Sequence, residues 1–126
     1  MSDDFELFTG RAIPVVERAM VTIQRKGTMS LNHAAFQALG EPAAVAMFFN
    51  KAKRIVGIRA IDPAESYAYP VRKQAASRNY VLAGQAFTKT YGIDTTAARR
   101  YNAELRPDGM LVIDLEGESL SPVRHD

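Results

Sequence analysis

Two stretches of this chain follow one plan. VTIQRKGTMSLNHAAFQALG (21–40) and YPVRKQAASRNYVLAGQAFTKTYG (69–92) each run from an extended segment through a basic pair and a short second strand. Each then enters a two-turn amphipathic segment built around Phe and stops at Gly. A hairpin pattern follows both: MFFNKAKRIVGI after the first, YNAELRPDGMLVI after the second. Leu31 aligns with Leu82, Phe36 with Phe87, Gly40 with Gly92, Ile58 with Ile113, and the pair Arg25–Lys26 with Arg72–Lys73. A unit of about 45 residues with one short helix cannot bury its own apolar face, whereas two copies can cover each other. The expectation is an α+β, β-rich single domain over 1–126, built from two pseudo-repeated strand-turn-strand-helix-hairpin units at about 19–60 and 66–115. Strands from both halves would form one sheet or barrel, two helices would cap it, and Phe36 and Phe87 would be matched core anchors. An acidic leader (1–10) and a polar tail (116–126) would flank it.

Local chemistry sets the elements. Met20 onward is rich in β-branched residues and reads as a strand. Gly27 marks a turn, because only Gly takes positive φ freely. Asn32 is placed to cap the first helix, its side-chain oxygen accepting from a free first-turn amide. Gly40 and Gly92 stop the two helices. AAVAMFF and RIVGIRAI form a hairpin around NKAK, and RPDG is a turn signal before MLVIDL. Pro70 confines its strand to an edge or a bulge.

Charge is unevenly spread. Residues 1–19 carry a net −2, residues 20–106 a net +8 and residues 107–126 a net −4. A basic body between acidic ends suits an anionic partner, or ends that fold back on the body. With no cysteine, disulfides and thiolate metal sites are excluded, which fits a reducing cytoplasm. No apolar run reaches the length of a membrane helix.

The order of strand, tight basic turn, short strand, two-turn helix closing in LG, and hairpin ending in RIVGIRAI resembles the swapped-hairpin barrels of AbrB- and MraZ-like bacterial transition-state regulators. The resemblance covers most of the chain. It implies duplex DNA as partner, met by basic residues of the strand-turn region: Arg25 and Lys26, with Arg72, Lys73 and Arg78 in the second copy. Thr28 and Asn32 stand where that family has Arg and Pro, and the second copy has no Gly in its turn.

Other chemistry is sparse. His33 and His125 are far apart in sequence, with no zinc-ligand spacing, nucleophile elbow or phosphate-binding Gly loop. Asp114, Glu116 and Glu118 alternate, but a single carboxylate row lacks the further ligands a hard cation needs. Tyr67, Tyr69 and Tyr80 suit either base stacking or half-buried sheet positions. The leading expectation is thus a non-enzymatic nucleic-acid-binding regulator without a cofactor. The rival is a protein-interaction or structural module, for instance a homo-oligomer pairing through edge strands at AAVAMFF or MLVIDL.

Overall fold

The computed structural model describes residues 17–117, so the acidic leader, Pro14, His125 and most of the polar tail lie outside the described residues. The described chain is α+β and mostly β, with ten strands in two five-stranded antiparallel sheets and two short helices. Strands β1 (Met20–Ile23) and β2 (Met29–Leu31) flank a one-turn 3-10 segment at Arg25–Gly27. Helix α1 (His33–Ala38) leads to the hairpin of β3 (Ala44–Asn50) and β4 (Ile55–Ala60). Then come β5 (Tyr69–Pro70), β6 (Arg72–Lys73), β7 (Tyr80–Leu82) and helix α2 (Gln85–Thr90). Strands β8 (Arg99–Asn102), β9 (Glu104–Leu105) and β10 (Leu111–Asp114) complete the order.

The first sheet runs β6-β7-β2-β1-β8 and the second β5-β3-β4-β10-β9. Their ends are joined by the chain itself. Strand β5 continues into β6 through Val71, whose amide donates to Ala43 O (2.9 Å), and β8 continues into β9 through Ala103, whose amide donates to Ala19 O (2.9 Å). The ladder therefore closes on itself through shared strands, which leaves only short stretches of unpaired edge. Pro70 sits where the chain leaves one sheet for the other, a position where its missing amide costs no central ladder bond.

Strand alternation fills the interior. Val21, Ile23, Met29 and Leu31 from the first half meet Leu82, Tyr101, Leu111 and Ile113 from the second, together with Val45, Val56 and Ile58. Asn32 caps α1 by accepting from Ala35 N (2.9 Å). The same oxygen accepts from Met20 N (3.0 Å), and the side-chain amide donates to Arg18 O (2.7 Å), so one residue ties the helix start to the start of β1. Gly57 is required by close approach: Met110 folds over its Cα from the neighbouring turn, in the space a Cβ would occupy.

Three expectations change. Phe87 is buried as an anchor, but Phe36 is only half-buried, stacked on Tyr80 with ring centroids 3.7 Å apart. The helices explain this. Their caps are Asn32 and Gly84, so counted from the cap Phe87 occupies the place of Ala35, which is fully buried, and Phe36 that of Thr88. One position is about 100° on a helix, so the two Phe rings leave their helices in different directions. Second, Arg25–Lys26 forms a turn whereas Arg72–Lys73 lies in a strand. Third, β3 and β10 are not edges, since each has a hydrogen-bonded neighbour on both sides. No helix among the described residues is long and apolar enough to cross a membrane.

Candidate nucleic-acid interface

The outer face of the first sheet carries one continuous cross-strand row. Arg72 pairs with Val81, Val81 with Ser30, Ser30 with Thr22, and Thr22 with Arg100. Neighbours along these strands (Val21, Ile23, Met29, Leu31, Leu82, Tyr101) point into the core, so the row points outward. An Arg stands at each end. Four interstrand spacings separate their backbones by about 19 Å. Arg72 is exposed and Arg100 half-buried, and neither forms an ion pair among the described residues.

The basic turns bound this face at opposite ends. Ile23, Met29 and Leu82 are aligned at one end of the sheet, and Leu31, Tyr80 and Lys73 at the other. Arg25 and Lys26 extend past the first end, and Arg78 past the second. Arg25, Lys26 and Arg78 are all exposed. Lys73 lies next to Arg72 and therefore on the other side of its strand, where its ammonium donates to Ser77 O (3.2 Å). Of the five residues singled out from the sequence, Arg72 is on the face, Arg25, Lys26 and Arg78 flank it, and Lys73 turns away. Arg100 was missed as a site residue. The alternation of RRYNAEL held the signal, because with Tyr101 facing inward Arg100 must face outward.

The first turn is held in place by the opposite half of the chain. Lys26 has φ 71° and Gly27 φ 104°. A Cβ on Gly27 would lie 2.5 Å from Thr88 Oγ1 and 2.9 Å from Gln85 Cα, so the turn is packed against the start of α2. Gln85 Nε2 donates to Thr28 Oγ1 (3.1 Å), so Thr28 helps dock the turn. The second turn closes on itself, with Gln74 N donating to Asn79 O (2.9 Å) and Asn79 N to Ser77 Oγ (3.1 Å).

Two concavities open on this face, one on each side of the β2–β7 contact. The larger, about 340 Å³, is polar and lined by Thr22, Gln24, Ser30, Asn79, Arg100 and the carboxylate-bearing Glu17. The smaller, about 200 Å³, has Pro70, Val81, Leu82 and Ala83 on its walls, with Thr28, Arg72 and Gln85 at its polar positions.

The remaining candidates lie elsewhere. Tyr80 stacks on Phe36, Tyr69 is half-buried opposite Val45, and exposed Tyr67 lies by α2 near Phe87 and Tyr91, so none stands in the row. Arg54 is occupied beside the second sheet, 3.9 Å from Glu116 and donating to Tyr91 O (3.4 Å). Asp114 accepts from Glu116 N (2.9 Å) in a local turn. Among the described residues no three His, Asp or Glu side chains converge as metal ligands. Two groups titrate away from their ordinary range. The Thr96 amide and then its hydroxyl hold the Asp94 carboxyl low, with Arg99 adding to them against a slight opposing effect of burial. Burial pushes the Tyr101 phenol up. Neither group belongs to the row. Compared with family models, curated proteins and solved structures, the chain matches none.

Proposed function

We propose that the chain is a non-enzymatic nucleic-acid-binding regulator whose outer Arg72-to-Arg100 face contacts a duplex. The observation that carries this reading is the row itself: two outward guanidiniums on backbones about 19 Å apart, with Arg25, Lys26 and Arg78 in turns beyond its ends. Cations spaced in this way suit phosphates, which supply the sequence-independent part of duplex affinity. The row has no aromatic side chain, so single-strand binding by base stacking has no platform here.

The reading includes an internal duplication. Strand β2 pairs with β7, and β4 with β10; each couples a strand of the first half to the strand at the same place in the second. Each helix follows the first of these strands and is six residues long. Such a scaffold presents its two halves side by side to an extended ligand.

Fluorescence anisotropy on a random-sequence duplex at 50 and 200 mM salt tests the proposal. We expect binding that weakens steeply with salt. The double variant Arg72→Glu, Arg100→Glu should keep its melting temperature and flatten the log–log salt slope by about 2, roughly 0.9 for each phosphate no longer neutralised. No binding at low salt would sink the reading.

A second surface supports the interaction-module alternative. On the outer face of the second sheet, Phe48, Gly57 and Val112 form a row, and Phe48 is 41% exposed. It borders a depression of about 300 Å³ with Ile55 and Met110. An exposed aromatic beside an apolar hollow suits a protein contact. Sedimentation of the parent and of Phe48→Glu tests it: a concentration-dependent dimer lost in the variant supports a homo-oligomer, and a monomer throughout removes it.

A further inference from the structure

The two concavities occupy corresponding places on either side of the β2–β7 contact, yet their chemistry differs. In the larger, Ser30 forms the floor at 5% exposure, and its hydroxyl makes no hydrogen bond to any described residue. Around it stand Thr22, Gln24, Asn79 and Arg100, all of whose side-chain polar groups are likewise unengaged among the described residues. Amides and hydroxyls can both donate and accept, so this side is built for hydrogen-bonded readout. In the smaller concavity Val81 takes the place of Ser30 in the row, and Pro70 and Ala83 lie beside it. Two of its three polar residues, Thr28 and Gln85, are bonded to each other (3.1 Å). That leaves an apolar wall with Arg72 at its rim.

We infer that the two sides of this face read unlike half-sites, so that the preferred duplex is not an inverted repeat; this rests on the nucleic-acid reading above. Ser30 and Val81 are cross-strand partners, so the concavities open side by side. Their outer walls at Arg100 and Arg72 stand about 19 Å apart, wider than a major groove of about 12 Å, and so meet separate segments of the duplex. The Ser30 side selects base pairs by hydrogen bonds to their edges. The Val81 side selects by apolar contact, for which the thymine methyl is the matching group.

Selection from a random duplex pool at low salt, followed by anisotropy on the winning site, tests this. The expected site has two unlike arms. Asn79→Ala should weaken binding to that site about tenfold, and not to a version with the first arm randomised. Val81→Asn, which replaces the apolar branches with an amide, should do the same for the other arm. A winning inverted repeat, or both variants acting on the same arm, overturns the inference and leaves duplex binding in place. Retention of no duplex removes the nucleic-acid reading, and the asymmetry with it.

Discussion

Gly27 shows at the scale of a residue how a basic turn becomes a fixed feature. Its φ of 104° is one that L side chains rarely adopt, and its Cα faces the start of α2 from the other half of the chain. Gly27→Ala meets both obstacles. Left-handed strain costs roughly 1–2 kcal/mol, and the overlap with Thr88 and Gln85 adds about 1–3 kcal/mol unless the helix shifts. Chemical denaturation should show a loss of at least about 2 kcal/mol, the sum of the lower ends of those two ranges, and an unchanged midpoint would mean that the turn does not dock on α2. Asp94 supplies a different residue-level test. Its folded carboxyl titrates below the ordinary value of about 3.9, held there by the Thr96 bonds. The stabilisation is therefore present above the unfolded pKa and is lost as pH falls through the lower folded one. Asp94→Asn should be less stable than the parent at neutral pH, and the two urea midpoints should converge in strong acid. A gap that persists at low pH would assign the loss to something other than ionisation.

Among the elements, the helices show how far patterning carries. Both short helices, their Gly stops and the Asn32 cap are legible from side-chain chemistry alone, and so are the two hairpin turns at NKAK and RPDG. Their rotation is not. Phe36 and Phe87 look alike in an alignment of Leu31 with Leu82, but the loop before α2 holds one more residue, Ala83, and this shifts the second helix by one position. Aligned from their caps, the helices bury Ala35 and Phe87 at one position and Leu39 and half-buried Tyr91 at another. A small residue over one end of the barrel is thus answered by a large one over the other. Phe87→Ala should cost about 3–5 kcal/mol, as for other buried aromatics. Phe36→Ala should cost about 1–2 kcal/mol, mostly the stack on Tyr80 and part of its burial. Equal losses in thermal or urea unfolding would contradict this ranking. The site follows the same rule. Arg25, Lys26 and Arg78 were legible as turn cations, but which strand neighbours share a face depends on registers that no single strand encodes. The outward direction of Arg100 is legible from alternation, but its place at the end of the row emerges only when Thr22 is placed opposite it.

For the whole molecule, the decisive feature is how the ladder closes. Each half, taken alone, leaves two strands unpaired along one side: in the first half β2 keeps β1 but has no β7, and β4 keeps β3 but has no β10. It also lacks the flanking pairs of β1 with β8 and of β3 with β5. Four ladders cross between the halves, and the buried residues of each half depend on the other for cover. Residues 1–63 expressed alone should therefore give no folded monomer. If the two halves are variants of one unit, a second copy of the fragment can take the place of the missing half, with β2 pairing to β2 and β4 to β4 about a true twofold axis. Its folding would then depend on concentration, since only the dimer has a core. Circular dichroism and sedimentation over a concentration series can read this. Folding linked to dimer formation is what a duplicated unit requires. A folded monomer of 1–63 would show that the first half holds its own core, and the explanation of the closed ladder by two interdependent halves would fail.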